Sequence, residues 1–299
     1  MTCTQNSMAP SLPASHHQAD PPSIRAASRK NRVYILREFL VENYGGHLQE
    51  KGTIVLDVAG GKGDLSWLLL NVDGLNSVVA DPRITKHNHL VKSIRFLREN
   101  PDEAKIRSIP GRPTYQPLAA LIPKLDGKLN FQTPKHLRLL VDSYLVQAVK
   151  AVLQSGDEAA WESYWRFAIT RASLARPLGY EETGPVSEGS ILDAREALRV
   201  IKSIKLVVGF HPDQATDACI DLAHVLDVPF CVCPCCVFPA EFTHRRTIDG
   251  KPVKHYDDLL RYLERKDSRI QRATLKFPET TTARNIVLYT LPASSNDSL

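Results

Sequence analysis

The sequence predicts an α/β fold built on a mostly parallel sheet, and three observations predict it. The apolar run Ile54-Val55-Leu56-Asp57-Val58 breaks into Ala59-Gly60-Gly61-Lys62-Gly63 and opens an amphipathic segment at Asp64, reading as strand, tight turn and helix start. A second apolar run, Ser77-Val78-Val79-Ala80, ends in the carboxylate of Asp81. Toward the C-terminus, Ile204–Phe210 and 229–233 bracket a helical pattern over 218–226, the strand–helix–strand grammar of a parallel sheet.

Residues 1–27 are rich in Ser, Pro, Ala, His and Gln and lack hydrophobic periodicity, so they read as a disordered tail. The tail is acid-poor but has no arginine-rich amphipathic pattern, which leaves organelle targeting open. Over 29–44, Val33, Leu36, Phe39, Leu40 and Tyr44 recur at helical spacing, and Gly45-Gly46 follow as a stop signal. After Asp81 a helix is expected over 90–100, ended by Pro101. These segments, 28–100, make the first half of the domain.

The interval 101–200 is longer than one strand and one helix require. Helical patterns run over 135–154 and 159–175, the second carrying Trp161, Trp165 and Phe167, while Pro177-Leu178-Gly179 and Gly184-Pro185 mark loops. A helical insertion over the ligand pocket is the expectation; the alternative is that these helices serve as ordinary sheet coverings. The second half, 201–299, follows a helix over 194–201. Besides its strand–helix–strand unit it holds a helix over 256–263 and two final strands, 274–277 and 285–291, expected to form an antiparallel edge pair.

Composition bounds the function without naming it. The chain has 299 residues, 43% hydrophobic and 24% charged, ordinary globular material with enough apolar content for a substantial core. No apolar run approaches the roughly 18 residues of a membrane span, so a soluble intracellular protein, cytoplasmic or nuclear and without a membrane partner, is expected. A formal net charge of +5 permits nucleic acid without requiring it. The basic residues Arg83, Lys86, Lys92, Arg95, Arg98, Lys105, Arg107 and Arg112, and Arg245, Arg246, Lys251 and Lys254, read first as solvated faces.

The glycine turn is where chemistry begins. Glycine permits positive φ and close approach of a ligand, and the helix that follows offers unpaired N–H groups. Asp81 falls in the window, about 20 residues on, where an acid at the end of the next strand accepts hydrogen bonds from ribose. A dinucleotide and S-adenosylmethionine both fit this pattern. Ser66 stands where the dinucleotide fingerprint wants its third glycine or an alanine for close helix–strand packing, favouring the second. A phosphate-binding P-loop is disfavoured because Gly63, not Ser or Thr, follows Lys62.

Asp57-Val58-Ala59-Gly60-Gly61-Lys62-Gly63 resembles the first motif of class I S-adenosylmethionine-dependent methyltransferases, with Ala59 where many members carry the first glycine. Together with Gly-Lys-Gly-x-Leu-Ser, the His211 loop after a Val-Val-Gly strand and the Cys235-Cys236 loop are similar to the branch containing tRNA 2′-O-methyltransferases. The wording His-Pro-Asp and Pro-Cys-Cys-Val-Phe-Pro is closer still to eukaryotic methyltransferase-like proteins related to that branch. The resemblance covers about 54–81 and 204–290, and Val237 and Phe238 replace the branch's histidines after the Cys-Cys pair. It implies a Rossmann-like sheet, S-adenosyl-L-methionine as cofactor, and RNA as substrate class. Asp57, Gly60, Gly61 and Gly63 then hold the methionine and sugar portions, and Asp81 the ribose.

Methyl transfer from a sulfonium needs alignment, and a base where the acceptor must lose a proton. His211 is the candidate base, with Asp213 to orient it or share the proton; the competing role is a turn in which Asp213 or Thr216 caps the next helix. Cys235 and Cys236 are candidates for substrate contact, against a packing role. Arg245 suits a phosphate, because a guanidinium fork matches that geometry. Six cysteines are present, and Cys231, Cys233 and Cys235 alternate along one strand face instead of forming spaced zinc-ligand pairs, so no metal is expected. Two other functions compete: a methyltransferase-like binding or scaffold module without catalysis, which the altered Cys-Cys loop favours, and a nucleotide-dependent oxidoreductase, which Ser66 disfavours.

Overall fold

The computed structural model describes residues 22–101, 116–125, 127–128, 130–174, 192–277 and 284–292. The tail through Pro21, the loops at Pro177–Gly179 and Gly184-Pro185, and Lys105, Arg107 and Arg112 lie outside them. The elements are α1 (Pro22–Leu48), β1 (Ile54–Val58), α2 (Asp64–Val72), β2 (Ser77–Ala80), α3 (Asn88–Glu99), α4 (Gln116–Leu121), β3 (Lys135–Leu137), α5 (Ser143–Ser155), α6 (Glu158–Leu174), α7 (Ala194–Lys202), β4 (Ile204–Phe210), α8 (Thr216–Leu226), β5 (Phe230–Cys233), α9 (Tyr256–Glu264), β6 (Gln271–Thr274) and β7 (Ile286–Tyr289).

The seven strands form one sheet in the order β3-β2-β1-β4-β5-β7-β6. The first five in that order pair in parallel, and β7 runs antiparallel to both β5 and β6. The expected antiparallel pair therefore closes one side of the sheet, with β6 outermost and shifted toward the N-terminus of the expected 274–277. Strand order reverses between β1 and β4, the point of a doubly wound sheet outside which ligands bind.

Strand residues alternate between two cores, as the two-residue period dictates. Leu56, Val78, Val207, Val232 and Leu288 face one side, with Val149, Trp161, Leu198 and Ile220 from the helices α5 to α8. Val55, Leu206, Val208, Cys231, Cys233 and Val287 face the other, with Leu36, Leu40 and Tyr44 of α1 and Leu65 and Leu69 of α2. With both faces covered, these strands read as nearly continuous apolar runs.

Three expectations are corrected. First, α1 starts at Pro22, inside the expected tail, because proline suits a first helical position and Ala26-Ala27 favour helix. It also runs through Gly45-Gly46 to Leu48. Each glycine costs about 1 kcal/mol against alanine, but Leu48 is buried and the Tyr44 hydroxyl reaches the carbonyls of Phe230 and Thr290 at 3.1 and 3.0 Å, so tertiary contacts outweigh the local stop.

Second, 135–142 is not helix. Lys135–Leu137 pairs with β2, which satisfies that strand's backbone, and buried His136 donates through Nε2 to the Asp81 carbonyl at 2.7 Å. The helix begins only where Asp142 caps it, accepting from the N–H groups of Tyr144 and Leu145. Third, the described part of 101–200 is not a separate helical insertion over the pocket. It supplies β3 to the sheet, and α5, α6 and α7 bury Val149, Trp161 and Leu198 in the main core, so these helices are sheet coverings.

No helix among the described residues is long and apolar enough to cross a membrane.

Candidate functional site

Parallel pairing brings four strand ends together. Val58 is in register with Ala80 on one side and Gly209 on the other, and Phe210 with Cys233. The segments that follow, from Ala59, Asp81, His211 and Pro234, therefore lie side by side at the carboxyl edge of the sheet, at the reversal of strand order.

On the β1–β2 side the glycines have separate roles. Gly61 and Gly63 take φ of 58° and 79°, where a side chain is strained, and Gly63 forms the N-cap of α2. Gly60 is needed for space, because a β-carbon there would sit 2.6 Å from Asp57 Oδ2. Ala59 holds φ of 52° without being glycine, a local strain at the position where the resembling family often has glycine.

Asp57 is fully buried beneath this turn. Burial pushes its carboxyl up to about 7, opposed by hydrogen bonding from Ser66 and reinforced by the charges of Asp81 and Asp64. Ser77 donates to Ser66 at 2.9 Å and Ser66 to Asp57 Oδ2 at 3.1 Å, a relay that solvates the carboxyl from inside the core. Ser66, a departure from the dinucleotide pattern, thus serves Asp57 directly.

Asp81 is 1% exposed, and its carboxylate accepts from the Gly61 N–H at 2.8 Å. The Arg83 backbone N–H also donates to it, as do Nε at 2.9 Å and Nη2 at 2.8 Å. Arg83 is half-exposed, so this fork closes the carboxylate from the solvent side. His87 abuts Gly63, and burial lowers its imidazole to about 4. Among the described residues, neither ring nitrogen of His87, nor Asp64 Oδ1, has a hydrogen-bond partner. Sequence reading missed the roles of Arg83 and His87; an arginine two residues past an acid is a common turn arrangement and carries no periodic signal.

On the β4–β5 side, His211 follows β4 with φ of 54°. Its Nε2 lies 3.3 Å from Arg32 Nη1 of α1. Because arginine only donates, Nε2 is the accepting nitrogen and the neutral ring carries its proton on Nδ1. Burial and the Arg32 charge lower His211 to about 4, with Asp213 opposing. It is neutral at physiological pH, as a base must be, but a weaker base than free imidazole. Asp213 does not hold His211 as expected: Cys235 Sγ donates to Asp213 Oδ1 at 3.1 Å, so this carboxylate faces the Cys-Cys loop. Nor does Asp213 cap α8; Thr216 begins that helix and its hydroxyl donates back to the Asp213 carbonyl.

Arg245 is corrected from substrate ligand to internal strut. It is 1% exposed, with Nε donating to Asp217 Oδ2 at 2.8 Å, Nη2 to the same oxygen, and Nη1 to the Val237 carbonyl at 2.6 Å. Its guanidinium lies over the Phe242 ring, and Lys266 completes the ion pair to Asp217. The fork expected to grip phosphate instead ties the Cys-Cys loop to α8. Tyr256 ties the same loop to α9, its hydroxyl donating to the Pro234 carbonyl.

A cleft of 740 Å³ lies beyond α9, lined by Lys251, Lys254, Arg261 and Arg265 together with Asp249, Asp258 and Glu264, and apart from the glycine turn. No protein-family model, curated protein or solved structure matches the chain.

Proposed function

We propose that this protein is an S-adenosylmethionine-dependent methyltransferase with RNA as its substrate class. The observation that carries the reading is the convergence of the Gly60, Gly61 and Gly63 turn, Asp57 beneath it and Asp81 beside it, where strand order reverses. Asp57 beneath the turn suits a ligand bearing a sulfonium and an ammonium more than a pyrophosphate, while Asp81 at ribose fits either class. Unpartnered nitrogens on His87 and the unpartnered oxygen of Asp64 fit a ligand that brings its own polar groups.

Asp57, Gly60, Gly61 and Gly63 would hold the methionine and sugar portions, and ribose hydroxyls at Asp81 would take the place of the Arg83 fork. The cofactor, when bound, supplies an electrophilic methyl group. His211 Nε2, whose single lone pair Arg32 engages, would accept a hydrogen bond from the methyl acceptor in place of Arg32. Its weak basicity gives alignment the larger share of the assistance. RNA rests on the resemblance; the net charge of +5 permits it, and the cleft beside α9 mixes basic with acidic side chains.

A second reading, a cofactor-binding module without catalysis, is favoured by one observation: His211 is a poor base, and among the described residues no carboxylate hydrogen-bonds to it. Calorimetry with S-adenosylhomocysteine and with NAD separates the cofactor classes, and binding of NAD alone would overturn the proposal. Asp81→Ala is expected to weaken S-adenosylhomocysteine at least tenfold. Labelled methyl transfer to RNA, protein and metabolite fractions, compared with His211→Ala, separates enzyme from module: cofactor binding without transfer to any fraction supports the module.

A further inference from the structure

We propose that Asp213, Cys235 and Cys236 form a zinc site with an open coordination position. Their ligand atoms all lie within 4.8 Å of one another, and these residues are the group of metal-ligating side chains found among the described residues. In a tetrahedral site, bond lengths of about 2.3 Å to sulfur and about 2.0 Å to oxygen set ligand atoms roughly 3.5–3.8 Å apart. The Asp213 to Cys235 separation is 3.1 Å, just under that span, and no pair exceeds 4.8 Å, so fitting an ion takes side-chain adjustment and no change of fold.

Sequence spacing argued against a metal because Cys231, Cys233 and Cys235, read as alternate residues of one strand, fall along one face instead of forming spaced zinc-ligand pairs. Tertiary structure removes that objection. β5 ends at Cys233, Pro234 breaks the ladder, and both following thiols turn toward Asp213 in the loop after β4. Cys231 and Cys233, still in the strand, stay buried in the core and are not part of the set. The loop is anchored on both flanks, by Tyr256 to the Pro234 carbonyl and by Arg245 to the Val237 carbonyl, so the thiols are held on a braced segment.

The donor set selects the ion. Two thiolates and one carboxylate suit zinc, which takes sulfur and oxygen together at four-coordinate geometry, and do not suit magnesium or calcium, which want oxygen alone. Binding breaks two S–H bonds, releases two protons to solvent and forms two Zn–S bonds and one Zn–O bond. Three protein ligands leave the fourth position for water or an acceptor atom, the pattern of catalytic zinc sites, beside the His211 loop.

The inference stands apart from methyl transfer, because zinc alone is the probe and no cofactor is added. The experiment titrates Zn²⁺, and then Co²⁺, into the full chain in a Cys3→Ser background, which removes a thiol outside the described residues. One ion per chain is expected, and the cobalt form should show the intense visible bands of tetrahedral geometry with near-ultraviolet thiolate charge transfer. Cys235→Ser, Cys236→Ser and Asp213→Asn should each weaken zinc at least tenfold while melting with the parent in the absence of metal. If one variant loses its fold, the other two decide. Absence of stoichiometric binding, an octahedral cobalt spectrum without charge transfer, or affinity indifferent to both serine variants overturns the proposal. Zinc binding without adenosyl-cofactor binding would uphold this site and remove the methyltransferase reading; the reverse result would do the opposite.

Discussion

The two halves of the site differ in how far along the chain their contacts reach. On the β1–β2 side the decisive contacts are short in sequence: Ser66 to Asp57 spans 9 positions, Gly61 to Asp81 20, and Arg83 to Asp81 only 2. On the β4–β5 side Arg32 reaches His211 across 179 positions, Asp213 meets Cys235 across 22, and Arg245 meets Asp217 across 28. A site assembled within one strand–turn–helix–strand unit is specified by local sequence, whereas one assembled from a distant helix and two loops depends on the whole fold. Perturbing the first half should mainly cost ligand binding; perturbing the second should mainly cost structure.

The largest effect should test the strut. Arg245→Met leaves Asp217 with Lys266 alone and frees the Val237 carbonyl, so a loss of about 3 kcal/mol in unfolding free energy is expected from denaturant titration. A loss below about 1 kcal/mol would restore Arg245 to the surface role expected from sequence. Next, Gly60→Ala drives a β-carbon against Asp57. A cost of about 1–3 kcal/mol and loss of S-adenosylhomocysteine binding by calorimetry are expected, the second effect separating this half from the other.

Asp57 sharpens the comparison through pH. Its folded value of about 7 lies above the ordinary 3.8, so between these values the folded state keeps a proton that the unfolded state has lost. Its contribution is most favourable below about pH 4, falls as pH rises toward 7, and levels off above. Asp57→Asn should flatten that part of the stability profile and raise the melting temperature near pH 8, while weakening the adenosyl ligand. An unchanged profile would show that the carboxyl is not buried in solution. The smallest effect should come from Arg83→Ala. The fork is half-exposed, so stability should shift by less than about 1 kcal/mol. Opening Asp81 should tighten S-adenosylhomocysteine a few-fold in the same calorimetry; weaker binding would make Arg83 a ligand contact instead of a cover.

The legibility of the chain divides in the same way. β1, β4 and the start of α2 were readable because a buried strand needs a continuous apolar run and the turn needs its glycines. Lys135–Leu137 was misread because three residues cannot display a period, and only the open edge of β2 makes them a strand. Gly45-Gly46 misled because the burial of Leu48 outweighs a local stop.

By itself the sequence determined the glycine turn, the acid-tipped second strand and the parallel strand–helix–strand unit, since each follows from backbone sterics and short-range burial. Only tertiary structure decided that Arg245 is a strut, that Asp213 faces two cysteines instead of His211, and that the central helices belong to the core. Those outcomes depend on which distant partner satisfies a buried charge or covers an apolar face, and local patterning carries no record of that choice.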